Sequence, residues 1–98
     1  MPKVDKQCRL LIPRDLINLI KLDQGTIGVF FDREENAIFI THLIEETDNY
    51  CISVRVLDEK NRIVVNKRIL DLIGANKNSE LVISARRGRI YIFKSDRD

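Results

Sequence analysis

Residues 5–13 read DKQCRLLIP and residues 58–66 read DEKNRIVVN, so the chain states one pattern twice at an offset of 53 residues. Each copy opens on an aspartate, places an arginine four residues later, runs through three apolar residues and stops at a residue suited to starting a helix. Working outward at the same offset, Leu10, Leu11 and Ile12 match Ile63, Val64 and Val65; Arg14 matches Lys67, and Leu16, Ile17, Leu19 and Ile20 match Ile69, Leu70, Leu72 and Ile73. Val29 falls on Val82, and beyond the next turn the offset becomes 52, setting Ile38, Phe39 and Ile40 beside Ile90, Tyr91 and Ile92. That change implies one residue lost from the second turn. A repeat of this kind is read before any other signal, because the whole fold assignment depends on it.

Each repeat carries the same order of elements. The apolar runs Leu10 to Ile12 and Ile63 to Val65 predict short strands. Pro13 lacks the N–H that the first helical turn leaves unbonded, and Asn66 can accept one of those N–H groups through its side chain, so both open helices. The predicted helices, Arg14 to Ile20 and Lys67 to Ile73, gather Leu16, Ile17, Leu19 and Ile20, or Ile69, Leu70, Leu72 and Ile73, on one broad apolar face. Gly74 supplies a left-handed cap to the second. Two strands follow each helix, Ile27 to Phe31 with Ala37 to Thr41 and Leu81 to Ala85 with Ile90 to Phe93, joined by the turn segments DREEN and RRGR, which predicts two β-hairpins. Tyr50 to Leu57 alternates, with Ile52, Val54 and Val56 on one face, and aims Arg55 at solvent.

A single repeat of about 45 residues cannot bury enough apolar surface to stand alone, so the two must share one core. The expected organisation is one domain over residues 1–98, with repeats 1–41 and 50–94 joined by a polar connector, 42–49. The fold class expected is mainly β with short helices: a closed or nearly closed pseudo-two-fold β-barrel of two strand-helix-hairpin units, tied together by exchanged hairpins.

Composition narrows the function. The chain of 98 residues holds 44% hydrophobic and 33% charged residues, enough to fold and too charged for the ~18–20-residue apolar run of a transmembrane helix. With no apolar leader at the start, the expected location is the cytoplasm. Two cysteines, Cys8 and Cys51, and one histidine, His42, fall short of a four-ligand zinc site, the four glycines form no phosphate-cradling loop, and the lone imidazole has no partner for nucleophilic catalysis. No enzymatic activity, cofactor, metal or small-molecule substrate is expected.

At DKQCRLLIP and VRVLDEKNRIVV (Val54 to Val65) the sequence resembles the AbrB/MraZ/SpoVT family of swapped-hairpin DNA-binding domains, and two copies in one chain are most similar to the MraZ form. That resemblance implies a sequence-specific regulator of transcription that binds double-stranded DNA, and so a location in association with the nucleoid. It also implies a homo-oligomer, a dimer or a ring. Three departures stand out. The glycine that usually precedes the motif arginine is replaced by Cys8 and Asn61; asparagine accepts a left-handed backbone and cysteine does so poorly, which predicts a different shape for the first turn. Further arginines expected in AbrB-type members fall on Ile17 and Asn18, and on Leu70 and Asp71. MraZ proteins also carry additional helices, for which 98 residues leave no length.

Arg9 and Arg62 stand where a turn enters a strand, from which a guanidinium can grip phosphate or a guanine edge; alternatively each is a solvated arginine paired with its own aspartate. Asp5 and Asp58 are read as turn-structuring. Residues 1–49 hold 6 Lys and Arg against 9 Asp and Glu, net −3, whereas residues 50–98 hold 11 against 6, net +5. Arg55, Lys60, Arg62, Lys67 and Arg68 therefore form the stronger candidate DNA half, with Arg9 and Arg14 on the weaker. The hairpin tips are also opposite in charge, Asp32, Glu34 and Glu35 against Arg86, Arg87 and Arg89, which suits either plain soluble turns or pairing between neighbouring molecules. Phe30, Phe31, Phe39 and Phe93 lie in apolar strands and read as core rather than as a stacking surface for single strands. The alternative function is a protein-protein interaction module, or an antitoxin-like protein, that keeps the fold with little DNA affinity.

Overall fold

The structure is a computed structural model that describes residues 2–22, 26–43 and 50–96. In chain order the elements are β1 (Arg9–Leu11), α1 (Arg14–Ile20), β2 (Thr26–Asp32), β3 (Ala37–His42), β4 (Tyr50–Val56), β5 (Arg62–Val64), α2 (Lys67–Leu72), β6 (Leu81–Arg86) and β7 (Arg89–Lys94). Strand, helix and hairpin thus occur twice in the predicted order. His42 closes β3, and the rest of the expected connector, from residue 44 on, lies outside the described residues. Among the described residues no helix is long and apolar enough to cross a membrane.

Two antiparallel sheets form, and each pairs one repeat with the other. Strands β1 and β5 make a two-stranded ribbon in which Leu10 stands opposite Ile63, its own counterpart at the offset of 53. The bonds flanking that pair are matched as well: Ile12 N–H donates to the Asn61 carbonyl at 2.8 Å, and Val65 N–H to the Cys8 carbonyl at 2.7 Å. In the larger sheet, ordered β4-β2-β3-β7-β6, β3 meets β7 with Phe39 opposite Tyr91, again counterparts. A pseudo-two-fold axis therefore runs through Leu10/Ile63 and Phe39/Tyr91. Helix α1 packs on β6 and β7, and α2 on β3, so each helix lies against the other repeat's hairpin.

The expected barrel is not closed. The order of the large sheet leaves β4 and β6 as its two edges. Among the described residues the outer edge of β6 meets only a backbone fragment, with Leu81 N–H donating to the Pro2 carbonyl at 2.8 Å. Under the two-fold this bond corresponds to the pairing of Ile27 with Arg55, so Pro2 stands where β4 stands in the other half.

The hairpins also correct the repeat alignment. Val29 lies opposite Ile40 and Ile83 opposite Ile92, which makes Ile83, not Val82, the counterpart of Val29. The turn between Asp32 and Ala37 holds residues 33–36 and that between Arg86 and Arg89 only 87–88. Two residues are lost in the second turn and one is gained before β6, which keeps the two-residue pleat in phase with the core.

One shared core collects Leu10, Ile12, Ile27, Val29, Ile38 and Ile40 with Ile63, Val65, Leu70, Leu81, Ile90 and Ile92. The helices contribute less than a broad apolar face. Ile17, Ile69, Leu70 and Ile73 are buried, whereas Leu19 is 69% exposed and its counterpart Leu72 is exposed too, because helices this short touch the sheet along a narrow stripe. Asn66 caps α2 by accepting from Ile69 N–H at 3.1 Å, while Pro13 occupies the cap position just before α1. Gly74 (φ 70°) ends α2, with Ala75 N–H returning to the Leu70 carbonyl; in the first repeat the same left-handed position falls on Lys21 (φ 55°).

Strand β4 departs from simple alternation. Val29 pairs with Ser53 but Phe30 with Cys51, so Ile52 is an inserted bulge residue packed against the core. Beyond the bulge Val54 and Val56 face outward, Val56 64% exposed, contrary to the single apolar face expected. A second cluster, Phe30, Ala37, Phe39 and Tyr91 with Phe93 beside it, covers the sheet face turned away from the main core.

Candidate nucleic-acid interface

The two D-x-x-x-R segments fold into the same hairpin turn. Asp5 N–H donates to the Arg9 carbonyl at 2.9 Å and Cys8 N–H to the Asp5 carbonyl at 3.0 Å; the counterparts from Asp58, Asn61 and Arg62 measure 3.0 and 2.9 Å. Cys8 has φ 60° and Asn61 φ 62°. The first turn therefore keeps the shape of the second, against the expectation from cysteine, because the Asp5 turn on one side and the Val65 N–H bond and β1–β5 pairing on the other hold Cys8 in the left-handed region.

The aspartate organises each turn. Asp5 Oδ1 accepts from the N–H groups of Gln7 and Arg9, both at 2.9 Å, while Oδ2 accepts from Arg9 Nε at 2.9 Å. Asp58 repeats this with Lys60 N–H at 2.9 Å, Arg62 N–H at 2.8 Å and Arg62 Nε at 2.9 Å. The Arg9 N–H bond does most to hold the Asp5 carboxyl below its ordinary value of 3.8; partial burial opposes it, and Gln7 N–H and the guanidinium add to it. For Asp58 the Arg62 N–H leads, against burial, followed by the Arg62 guanidinium and Lys60 N–H. Each carboxylate is thus charged at neutral pH and orients its arginine. A guanidinium has five N–H donors, and the Nε bond to aspartate commits one of them. In the first turn Gln7 Oε1 accepts from Arg9 Nη2.

On the ribbon, Leu10 and Ile63 point into the core, so the neighbouring positions Arg9, Leu11, Arg62 and Val64 share the outer face. Arg9 stands opposite Val64 and Arg62 opposite Leu11, which puts the arginines on one diagonal, with backbones about 7–8 Å apart. Leu11, 59% exposed, and Val64 occupy the other diagonal. Lys60 lies on the second turn, and Arg14, Lys67 and Arg68 are exposed at the helix starts.

Arg55 is not aimed at solvent. Its Nε donates to the Val64 carbonyl at 3.3 Å and Nη1 to the Val54 carbonyl at 3.1 Å, with Ser53 Oγ as a further partner of Nη1. It lies across the space between β4 and β5, and with Arg68 it lines a groove of about 310 Å³. The charge count groups these two residues in one half, but simple alternation along β4 aims Arg55 outward, and it is the bulge at Ile52 that turns it toward β5.

The oppositely charged hairpin tips meet inside one chain. Arg86 Nη2 lies 3.6 Å from Glu35 Oε2, and its guanidinium sits 4.6 Å from the Tyr91 ring centre and 5.1 Å from that of Phe93. Arg89 covers Phe39 at 4.4 Å, and Tyr91 donates its hydroxyl to Asp32 Oδ2 at 3.0 Å. Phe30 and Phe39 stack with centres 5.0 Å apart, and Phe30, Phe39 and Tyr91 are buried. Rings closed off in this way offer no platform for unpaired bases.

No family model matches the chain, and neither a curated protein nor a solved structure does.

Proposed function

We propose that the chain is a sequence-specific, double-stranded-DNA-binding regulator of transcription of the AbrB/MraZ type, with the outer face of the β1–β5 ribbon as its reading surface and a swapped-hairpin arrangement as its fold. One observation carries the reading: two aspartate-oriented arginines, related by a two-fold, stand on one exposed face of a two-stranded antiparallel ribbon. A ribbon of that width fits the major groove of B-DNA, about 12 Å across, and an arginine fork is the commonest reader of guanine. The 7–8 Å diagonal corresponds to about two base-pair steps of 3.4 Å, so both arginines fall within one groove. Leu11 and Val64 between them suit thymine methyl groups. Lys60, Arg14, Lys67 and Arg68 on the surrounding turns and helix starts suit the phosphates, which supply most of the affinity. The packing of each helix against the other repeat's hairpin supports the swapped arrangement.

Selection of duplexes from a random library by the purified protein, followed by anisotropy titration at several salt concentrations, tests this. Arg9→Ala and Arg62→Ala are each expected to cost about 1–3 kcal/mol on the selected duplex and to relax its sequence preference. Arg62→Lys keeps the charge and loses the planar fork, so retained affinity with relaxed preference marks base readout. Folded variants that bind every duplex as the parent does would exclude the assignment. The exposed pair Leu11 and Val64 favours one rival, a protein-binding face, for which Leu11→Ser would abolish self-association or partner capture while Arg9→Ala would not.

A further inference from the structure

The two-fold of the backbone is not a two-fold of charge. At the offset of 53, Arg55 corresponds to Pro2, Lys60 to Gln7 and Arg68 to Asp15. The first correspondence is structural as well as sequential, since Pro2 takes beside Leu81 the place that Arg55 takes beside Ile27. Three cations flanking the second turn are thus a proline, an amide and an acid beside the first, while Lys3 and Lys6 of the first fall on Val56 and Glu59 of the second, so the two sides differ in where their cations stand.

The groove of about 310 Å³ between β4 and α2 shows what that difference builds. Arg55, Arg68, Ser53 and Asn66 line it together with Ile52 and Ile69, and among the described residues no acidic side chain lines it. Arg55 is held in place by the carbonyls of Val54 and Val64, so ordering it for a ligand costs little further side-chain entropy. Two guanidiniums over an apolar wall match the chemistry of a phosphodiester, charged at its oxygens and apolar at the adjoining sugar. Resting on the duplex-DNA reading above, we propose that this groove seats one backbone phosphate of the duplex. Because its two-fold mate carries Pro2 and Asp15, the chain holds DNA in a single orientation. The site it prefers is then non-palindromic at the level of the backbone, whatever the symmetry of the bases under the ribbon.

The experiment scans the duplex selected by the wild-type protein with single neutral methylphosphonate linkages. Besides the paired positions expected under the counterparts Arg14 and Lys67, a further cluster of sensitive positions is expected on one side of the site centre only. Arg68→Gln is expected to remove that cluster and to reduce the slope of log K against log salt by about one, whereas Asp15→Arg should raise the slope by about one and add a mirrored cluster. Both residues are exposed, so these substitutions spare the core, whereas Arg55→Gln would also free the Val64 carbonyl. A mirror-symmetric pattern in the wild type, or an unchanged slope and pattern in Arg68→Gln, overturns the one-sided seat and leaves the DNA reading standing. Failure to enrich any duplex overturns both.

Discussion

Leu10 and Ile63 face each other at the centre of the β1–β5 ribbon, and each is the other's counterpart in the repeat. A residue placed opposite its own copy makes the two halves interdependent, since neither strand has a partner without the other. Leu10→Ala is expected to cost about 2–5 kcal/mol, as for other fully buried leucines, whereas Leu11→Ala next to it, on the outer face, should cost under about 0.5 kcal/mol. Urea unfolding of the two variants checks this. Equal losses would mean that the ribbon presents both faces to the core.

Gly28 is required by its neighbour. A Cβ there would come within 2.6 Å of the Phe30 ring, which is stacked on Phe39 and cannot swing away. Gly28→Ala should therefore lower stability by about 1–3 kcal/mol, and the double variant Gly28→Ala/Phe30→Leu should lose less than the sum of the single changes. Additive losses in a double-mutant cycle would show that the ring and the glycine are uncoupled.

Cys8 stores backbone strain that Asn61 avoids at the same place in the second turn. Cys8→Asn is expected to raise stability by about 1 kcal/mol without altering the register of β1, because asparagine tolerates the left-handed region. A thermal melt reads the gain. A lower melting temperature would show instead that the cysteine side chain contributes packing worth more than the strain.

The carboxyls of Asp5 and Asp58 lie below their ordinary value in the folded chain, so each contributes stability that is fully present above the unfolded pKa of about 3.9 and is lost as pH falls through the folded value. Stability should accordingly fall in acid, below about pH 4, with the arginine forks loosening as it does. Asp58→Asn should be less stable than the parent at neutral pH, and the difference should shrink on acidification. A constant difference from pH 7 to pH 2.5 in denaturant titrations would contradict the role given to this carboxylate.

The repeat, the order of strand, helix and hairpin, the Asn66 cap and the Gly74 stop were all legible in the residues, because each rests on contacts within a few positions along the chain. Asp5, Arg9, Asp58 and Arg62 were legible for the same reason, their turns being closed by bonds between residues two to four apart. Which face of an element is covered depends instead on the partner it meets. Leu19 and Leu72 fit a helical apolar stripe but overhang the sheet. Val54 and Val56 alternate correctly yet face outward, because the bulge at Ile52 shifts the phase of β4. Cys8 adopts a backbone its own chemistry disfavours because the Asp5 turn before it and the pairing of β1 with β5 after it outweigh a local cost of about 1–2 kcal/mol. Arg86 reaches Glu35, and Arg55 reaches the Val64 carbonyl, across distances in the chain that no local pattern encodes. The open sheet follows the same logic. Local alternation specifies strands, but closure into a barrel needs a partner for the outer edge of β6, where, among the described residues, the chain places only the carbonyl of Pro2.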